Sequence, residues 1–280
     1  MNTAILANGD VVRAEEYSSE LHGHRLLCMD KNCNVPLIYV PKTETRSAHF
    51  KTTGKIDSKH STQCGFYEPL SVLQAIKKVS EYQEDFLSKG IKETIIRLNM
   101  NRLDPDYSAR TIEKNPKDEE SEQEVKTKET NPQPSNISSV KTITKLMTSY
   151  DPDMLASIII NVGGGRKVPL SSIIVSQDIA HNMLWSDQTF NIGYFVFGTI
   201  SKIKRLEKVI YIDFEPVNEK TFTLVVFEKY FKHFTYKDED LINYEVIAYG
   251  MLKKNEHNEM KKTEMLIKSN KYIEKIKRRN

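Results

Sequence analysis

The sequence is poor in cysteine, has no long apolar run and carries almost no net charge, and each shortage excludes a class of protein. Its three cysteines are an odd number, and its N-terminal segment has neither the basic start nor the apolar core of a signal peptide. We therefore expect a cytoplasmic protein and not a disulfide-stabilised secreted domain. No apolar run approaches the roughly 20 residues that a membrane helix needs, so no membrane partner is expected.

The charge balance also limits how the chain could bind nucleic acid. The 41 basic residues exceed the 38 acidic residues by only three. A uniformly basic surface is therefore excluded, and nucleic-acid binding would depend on a local basic patch. The C-terminal tail, which ends in KIKRRN, is one place where positive charge is concentrated.

Residues 104–140 differ in composition from everything around them. They are dense in Glu, Lys, Ser, Asn and Pro and hold almost no large apolar side chains. Such a segment cannot bury enough apolar surface to offset its conformational entropy. We predict that it is a disordered linker between two parts of the chain.

Two pairs of candidate metal ligands lie in the N-terminal segment. Cys28 and Cys33 form a C-x4-C pair, and His60 and Cys64 form an H-x3-C pair. Zinc prefers four tetrahedral ligands drawn from thiolate and imidazole, usually supplied as two close pairs on turns. We predict a structural Zn²⁺ site made by these four residues, with His49 as the alternative to His60. The competing interpretation is that the three cysteines are small buried side chains without a metal.

The stretches AILANGDVVRAEEY, LLCMDKNCNVPLIYVP and RSAHF, followed by the H-x3-C pair, resemble the N-terminal zinc module of CoiA-like competence proteins. The similarity covers about residues 4–66. It implies a hairpin that turns at Asn8-Gly9, a pair that favours a type I′ turn. The nuclease core of that family has no counterpart here, because Tyr67 to Met100 shows the apolar spacing of a helix and no strand carries the acidic residues and lysine of a nuclease site.

Period-two alternation dominates the chain from Tyr194 onward. Strands are predicted through YFVFGTISKI, KVIYIDF and TFTLVVF, a short helix through EKYFKHF, and further strands through EVIAYGML and KTEMLIK. Three strands, a helix and two strands are the order of a five-stranded OB barrel. Gly198 and Gly250 lie where such a barrel needs sharp strand bends. Residues 192–277 therefore resemble OB domains of the nucleic-acid-binding kind.

Basic and aromatic residues are interleaved in this segment, as in proteins that bind single strands through phosphate contacts and base stacking. Alternation puts Phe195 and Phe197 on the same face of their strand. They point outward if the aliphatic face is the core, or they pack against the preceding helices. The candidate contacts are Phe195, Phe197, Lys202, Lys204, Arg205, Lys208, Tyr211, Tyr230 and Lys232.

Two other features carry no catalytic signal. The stretch NVGGGRKVPLS is predicted to be a turn, because Lys167 is followed by Val168 and the G-x4-G-K-[ST] spacing of a phosphate loop is absent. His181 and Trp185 lie one helical turn apart, a spacing typical of core packing.

The predicted fold is α+β: a zinc-binding module with a helix (1–103), the disordered linker (104–140), a helical and hairpin lead-in (141–191) and an OB-like barrel with a basic tail (192–280). We predict a non-enzymatic protein that holds single-stranded DNA or RNA on the barrel, with the zinc module as second contact. Two alternatives stay open. One is an adaptor of a phage, plasmid or defence system whose partner is a protein, and the other is a CoiA-like nuclease with an unrecognised active site.

Overall fold

The computed structural model of the chain describes residues 1–55, 57–88, 93–108, 136–257 and 260–276. Most of the predicted linker (109–135) and the end of the basic tail (277–280) lie outside these ranges. The described residues form an α+β structure with many strands. Within them, no helix combines the length and the apolar character that crossing a membrane requires.

The N-terminal module (residues 1–66) is built on a five-stranded sheet with the strand order β2-β1-β3-β4-β5. Its elements are β1 (Thr3–Leu6), β2 (Val11–Arg13), α1 (Ser19–His22), β3 (Leu26–Leu27), β4 (Pro36–Val40) and β5 (His49–Lys51). The small core of this module includes Cys28 and Cys64 beside Leu37 and Phe50. Two of the predicted metal ligands are therefore held in a packed interior.

The hairpin of β1 and β2 is present, but its turn is wider than the predicted type I′. Leu6 N–H donates to Asp10 O at 2.8 Å, and Gly9 N–H donates to Leu6 O at 3.0 Å. A type I′ turn needs a positive φ at both central residues, whereas of Asn8 and Gly9 only Gly9 has one, at 88°. Asn8 instead accepts the Asp10 N–H on its side-chain oxygen at 3.0 Å, a local bond that asparagine commonly makes in turns.

A central unit of helices and a four-stranded sheet follows. Its elements are α2 (Val72–Ser88), β6 (Thr94–Leu98), β7 (Asn136–Ile137), α3 (Val140–Ser149), α4 (Pro152–Ala156), β8 (Ile158–Gly163), β9 (Arg166–Pro169) and α5 (Leu170–Ile173). The strand order is β7-β6-β8-β9, and a short 3-10 turn (Asn101–Leu103) lies after β6.

The helix predicted from Tyr67 to Met100 is correct only for its first part. After α2 ends at Ser88, residues 94–98 form β6 and pair in parallel with β8, from Thr94 opposite Ile158 to Arg97 opposite Asn161. The segment TIIRL begins with three β-branched residues, which favour a strand once a partner strand is available. Helical spacing alone did not predict that partner.

Helix α2 is fixed by an apolar face and one buried amide. Val72, Val79 and Phe86 are buried at intervals of seven residues, about two helical turns, so they lie on one helix face. The Gln83 side chain donates to Ala156 O at 2.9 Å and accepts from Ser171 N–H at 3.1 Å. One side chain thereby ties α2 to α4 and α5.

The chain on both sides of residues 109–135 contributes to one sheet and one core. β6 precedes that segment and β8 follows it, yet the two strands are neighbours. The carboxylate of Asp153 accepts the backbone N–H groups of Asn2 at 2.6 Å and Thr3 at 3.0 Å, which joins β1 to α4. The residues described between 93 and 108 are therefore packed against elements from beyond the predicted linker.

The C-terminal unit is a curled sheet of eight strands that forms a half-barrel. Four of the five predicted barrel strands each form one strand, whereas EVIAYGML is divided between two. The elements are β10 (Ile174–Ser176), α6 (Gln177–Trp185), β11 (Tyr194–Arg205), β12 (Val209–Phe214), β13 (Thr221–Phe227), β14 (Glu245–Gly250), β15 (Leu252–His257), β16 (Met260–Leu266) and β17 (Ile273–Lys275). The predicted short helix is a 3-10 helix, Glu228–His233.

The strands of this unit pair one after another in an order that brings the last strands back close to the first. β11, β12 and β13 are consecutive antiparallel neighbours, and β13 pairs in parallel with β16. β16 pairs with β15, while β14 pairs with β11. Met251 alone separates β14 from β15. The nearly continuous segment of β14 and β15 therefore pairs with β11, at one end of this series of strands, and with β16, at the other.

Two glycines lie where the strands change partner. β11 pairs with β14 up to Thr199 and with β12 from Ile200 onward, just after Gly198. Gly250 lies at the junction of β14 and β15, where an added Cβ would be 2.6 Å from Met265 Cγ. At Gly198 an added Cβ would lie against the Gln177 side chain and 2.6 Å from the Phe214 ring. Both sites accept only glycine without rearrangement.

We therefore predict that Gly198→Ala lowers the free energy of unfolding by about 1–3 kcal/mol, because overpacking forces the Phe214 ring to move. Urea unfolding followed by circular dichroism measures this change. Ser201→Ala, an exposed change on the same strand, should alter stability by less than about 0.5 kcal/mol. Equal stability of Gly198→Ala and the parent protein would show that the strand bend tolerates a side chain.

Candidate metal centre and strand-face residues

Cys28, Cys33, His60 and Cys64 come together in the folded chain, with one ligand atom of each within 4.8 Å of all the others. The sulphurs of Cys28 and Cys64 are 3.7 Å apart, and His60 Nδ1 lies 3.4 Å from the sulphurs of both Cys33 and Cys64. A tetrahedral ion with zinc-like bonds would separate its ligands by roughly 3.3–3.8 Å. The cluster is therefore of the right size for one metal ion.

Backbone hydrogen bonds shape the two turns that carry these ligands. In the first turn, Cys33 N–H donates to Asp30 O at 2.9 Å and Cys28 N–H donates to Val35 O at 2.9 Å. In the second, Cys64 N–H donates to Ser61 O at 3.0 Å. Ser61 N–H also points at the Cys33 sulphur, at 3.5 Å. An N–H group that points at a sulphur, as that of Ser61 does, stabilises the thiolate, which is the form of cysteine that binds metal.

The protonation preferences of the cluster suit metal binding. Contact with the Cys28 thiol lowers the pKa of Cys64 to about 7, while that contact and burial raise the pKa of Cys28. Of the two thiols, Cys64 is therefore the more easily deprotonated. Burial also lowers the pKa of His60, which favours the neutral imidazole that metals need.

Asp30 joins the cluster to the rest of the molecule. Only 1% of its surface is exposed. Its carboxylate accepts Gly65 N–H at 3.0 Å, Tyr82 O–H at 2.7 Å and Lys78 Nζ at 2.9 Å. Burial alone would raise the pKa of Asp30, but these bonds lower it. The ionised carboxylate therefore ties the first turn to the second and to helix α2.

The alternative ligand, His49, lies outside the cluster. It begins β5, and its Nδ1 is 2.9 Å from the carbonyl oxygen of Ser47. The grouping of ligand atoms among the described residues contains His60 instead. Three thiols and one imidazole complete a tetrahedral set without an open position, which is the arrangement of a structural site and not of a catalytic one.

The aromatic residues predicted to bind nucleic acid divide into buried and accessible ones. The expectation of an outward Phe195 is wrong, because its side chain is 0% exposed and its ring packs 4.7 Å from that of Tyr249. Tyr230 is buried too and donates to Asp106 at 2.8 Å. Phe197 and Tyr211 are half-buried. Neither Phe195 nor Tyr230 presents a face for base stacking.

The predicted cations lie on the surface of the C-terminal unit, but one of them has partners. Arg205 donates to Asp238 at 2.8 Å and to Tyr236 O at 2.7 Å, so it holds the segment between the 3-10 helix Glu228–His233 and β14. The exposed cations are Lys202, Lys204, Lys208 and Lys232. On the outer face of β11 and β12, Lys204 stands opposite Tyr211.

Sequence reasoning missed Phe227, which is 47% exposed at the end of β13. It pairs with Val209, two residues from Tyr211, so the two aromatic side chains are diagonal neighbours on one face. Alternation through TFTLVVF was the available signal, because it puts Phe227 on the opposite face from the buried Val226. Sequence reasoning also missed Asp30, whose place inside the C-x4-C turn was the only indication of its role.

In comparisons with known proteins, no protein-family model matches the chain, and no curated protein matches it significantly.

We predict that His60→Ala reduces bound metal to well below one ion per chain, whereas His49→Ala leaves it unchanged. The reason is that His60 Nδ1 faces two of the thiols and His49 does not. Metal content after gel filtration, measured by inductively coupled plasma mass spectrometry, gives the result. Loss of metal in His49→Ala but not in His60→Ala would contradict the assigned ligand set.

Proposed function

We propose that this protein binds single-stranded nucleic acid, without catalysing a reaction, on the outer face of β11, β12 and β13. The observation that carries the proposal is the cluster of Lys204, Tyr211 and Phe227 on that face. A cation and two accessible aromatic side chains are what phosphate contacts and base stacking require. Lys202 and Lys208 extend the basic character along the same edge.

The strand pairing supports an OB-like barrel as the framework of this surface. In an OB fold the third and fifth strands are parallel neighbours and the fourth strand contacts the first. Here β13 is parallel to β16, and β14 pairs with β11. The face of the second and third strands is where OB folds bind oligonucleotides, and β12 and β13 occupy that position.

Acidic residues limit the binding face to one end of the strands. Asp213 stands opposite Lys202, and Glu264 stands opposite Lys253. These carboxylates lie on the same rows as the lysines and would repel a phosphate backbone. A strand is therefore expected to follow the end that carries Lys204, Tyr211 and Phe227, and not to cross the middle of the sheet.

The metal in the N-terminal module is proposed to be zinc. Three thiolates and an imidazole whose ligand atoms lie within 4.8 Å of one another suit Zn²⁺ better than oxygen-seeking cations. Its role is structural, because the ligand set leaves no position for water. The resemblance to the CoiA-like zinc module is consistent with this role and stays a prediction.

We predict that Phe227→Ala weakens binding of a fluorescent single-stranded oligonucleotide by about 5- to 100-fold, because one stacking contact contributes about 1–3 kcal/mol. Anisotropy titrations of the full chain measure the dissociation constant. Phe190→Ala removes another exposed phenylalanine, outside this face, and should have no effect.

A salt series separates phosphate contacts from other kinds of binding. Lys204→Ala should make the slope of log K against log salt concentration shallower, by the amount that corresponds to the loss of about one phosphate contact. Absence of binding at low salt, or equal affinity of Phe227→Ala and Phe190→Ala, would refute the proposal. The same exposed aromatic and aliphatic side chains would then be assigned to a protein partner.

A further inference from the structure

A cavity lies between the central sheet and the C-terminal unit, away from the proposed binding face. It has a volume of about 450 Å³, within the range of small-molecule sites. The carboxyl ends of the parallel strands β6 and β8 form one wall, and the segment before β11 together with Tyr249 and Tyr272 forms the other. Ligands commonly bind where parallel strands end.

The charged side chains that line this cavity are all positive. Arg97 and Arg166 both line it, and its described lining includes no aspartate or glutamate. Neither guanidinium has an ion-pair or hydrogen-bond partner within the part of the chain that the structure describes, unlike Arg205. The amides of Asn99, Asn101 and Asn191 add neutral donors. Two unpaired guanidinium groups with amides are suited to an anion with several oxygens.

The opposite wall is aromatic and closely packed. Gly193 lies so near Tyr249 that a Cβ there would overlap the ring, which fixes Tyr249 against the chain. Ile192 and Tyr272 continue this apolar surface. Burial raises the pKa of Tyr249 to about 12, so its phenol is neutral and adds no charge that repels an anion. The cavity therefore offers cations at one side and flat apolar surface at the other.

The turn between β8 and β9 keeps the cation side open. Gly163, Gly164 and Gly165 all have positive φ, at 91°, 60° and 75°, within the turn that was predicted for this stretch. Nothing lies within 4 Å of the position a Cβ would occupy at any of them. Arg166 follows directly and pairs with Gly163 in the hairpin. The turn thus carries Arg166, which lines the same cavity as Arg97, and its glycines have no side chains that could crowd it.

We propose that this cavity binds a nucleotide through its phosphate monoester. Arg97 and Arg166 contact the phosphate, and Tyr249 with Tyr272 and Ile192 contact the base. A phosphate monoester on a base-bearing sugar occurs both in free mononucleotides and at the phosphorylated end of a strand. The site is distinct from the face formed by Lys204, Tyr211 and Phe227, and it does not depend on that face.

Calorimetric titration of the full chain with adenosine monophosphate and with adenosine tests the phosphate requirement. We expect the monophosphate to bind at least tenfold more tightly, since charge-assisted bonds to both arginines are lost with the phosphate. Arg97→Gln and Arg166→Gln should each remove this preference. Lys167→Gln, a neighbouring exposed cation outside the cavity, is the matched control and should retain it.

A second comparison, 5′-phosphorylated against 5′-hydroxyl oligonucleotide, identifies the source of the phosphate. Preference for the phosphorylated strand over the mononucleotide assigns a strand end, and the reverse assigns a free nucleotide. Equal affinity for phosphorylated and unphosphorylated forms, or no binding of any of them at millimolar concentration, overturns the proposal. Phe227→Ala should leave mononucleotide binding unchanged, so failure of this site and failure of the strand-binding face are distinguishable.

Discussion

The hydrogen-bonded carboxylate of Asp30 connects the metal cluster to the rest of the chain. It lies inside the first cysteine turn, accepts the N–H of Gly65 beside the second turn, and receives Lys78 and Tyr82 from α2. A buried charge without such partners would cost several kcal/mol. Because one carboxylate bonds both to the second turn and to α2, we expect the ligand geometry and the docking of α2 to stabilise each other. Groups around metal ligands commonly have this orienting role.

From Asp30 and α2, a continuous set of contacts extends to the central unit and back to β1. α2 carries Gln83 to α4 and α5, and Asp153 in α4 holds the backbone of β1. The core that contains Met29 in the N-terminal module also contains Val79 and Phe195. The turns that carry the four candidate ligands are therefore linked, through α2, to the packing of the central sheet.

Local patterns in the sequence predicted some features and not others. The four candidate ligands could be predicted from the sequence, because zinc sites restrict both the type of the ligand residues and their spacing along the chain. The strands from Tyr194 onward were accessible from alternation. The pairing of β6 with β8 was not, since it joins residues separated by the linker and no local signal encodes a distant partner. The burial of Phe195 could not be predicted either, because the first residues of β11, Tyr194 to Val196, are buried on both faces and alternation there does not identify an exposed face.

Hydrogen exchange of the metal-loaded and the chelator-treated protein tests the central claim that the metal cluster, through Asp30, orders the N-terminal module and holds it on α2. Removing the metal is expected to increase exchange in residues 26–66 and in the first turns of α2, while β11, β12 and β13 keep their protection. Asp30→Asn should produce part of the same change with the metal still bound. Unchanged exchange in residues 26–66 after complete metal removal would contradict the account.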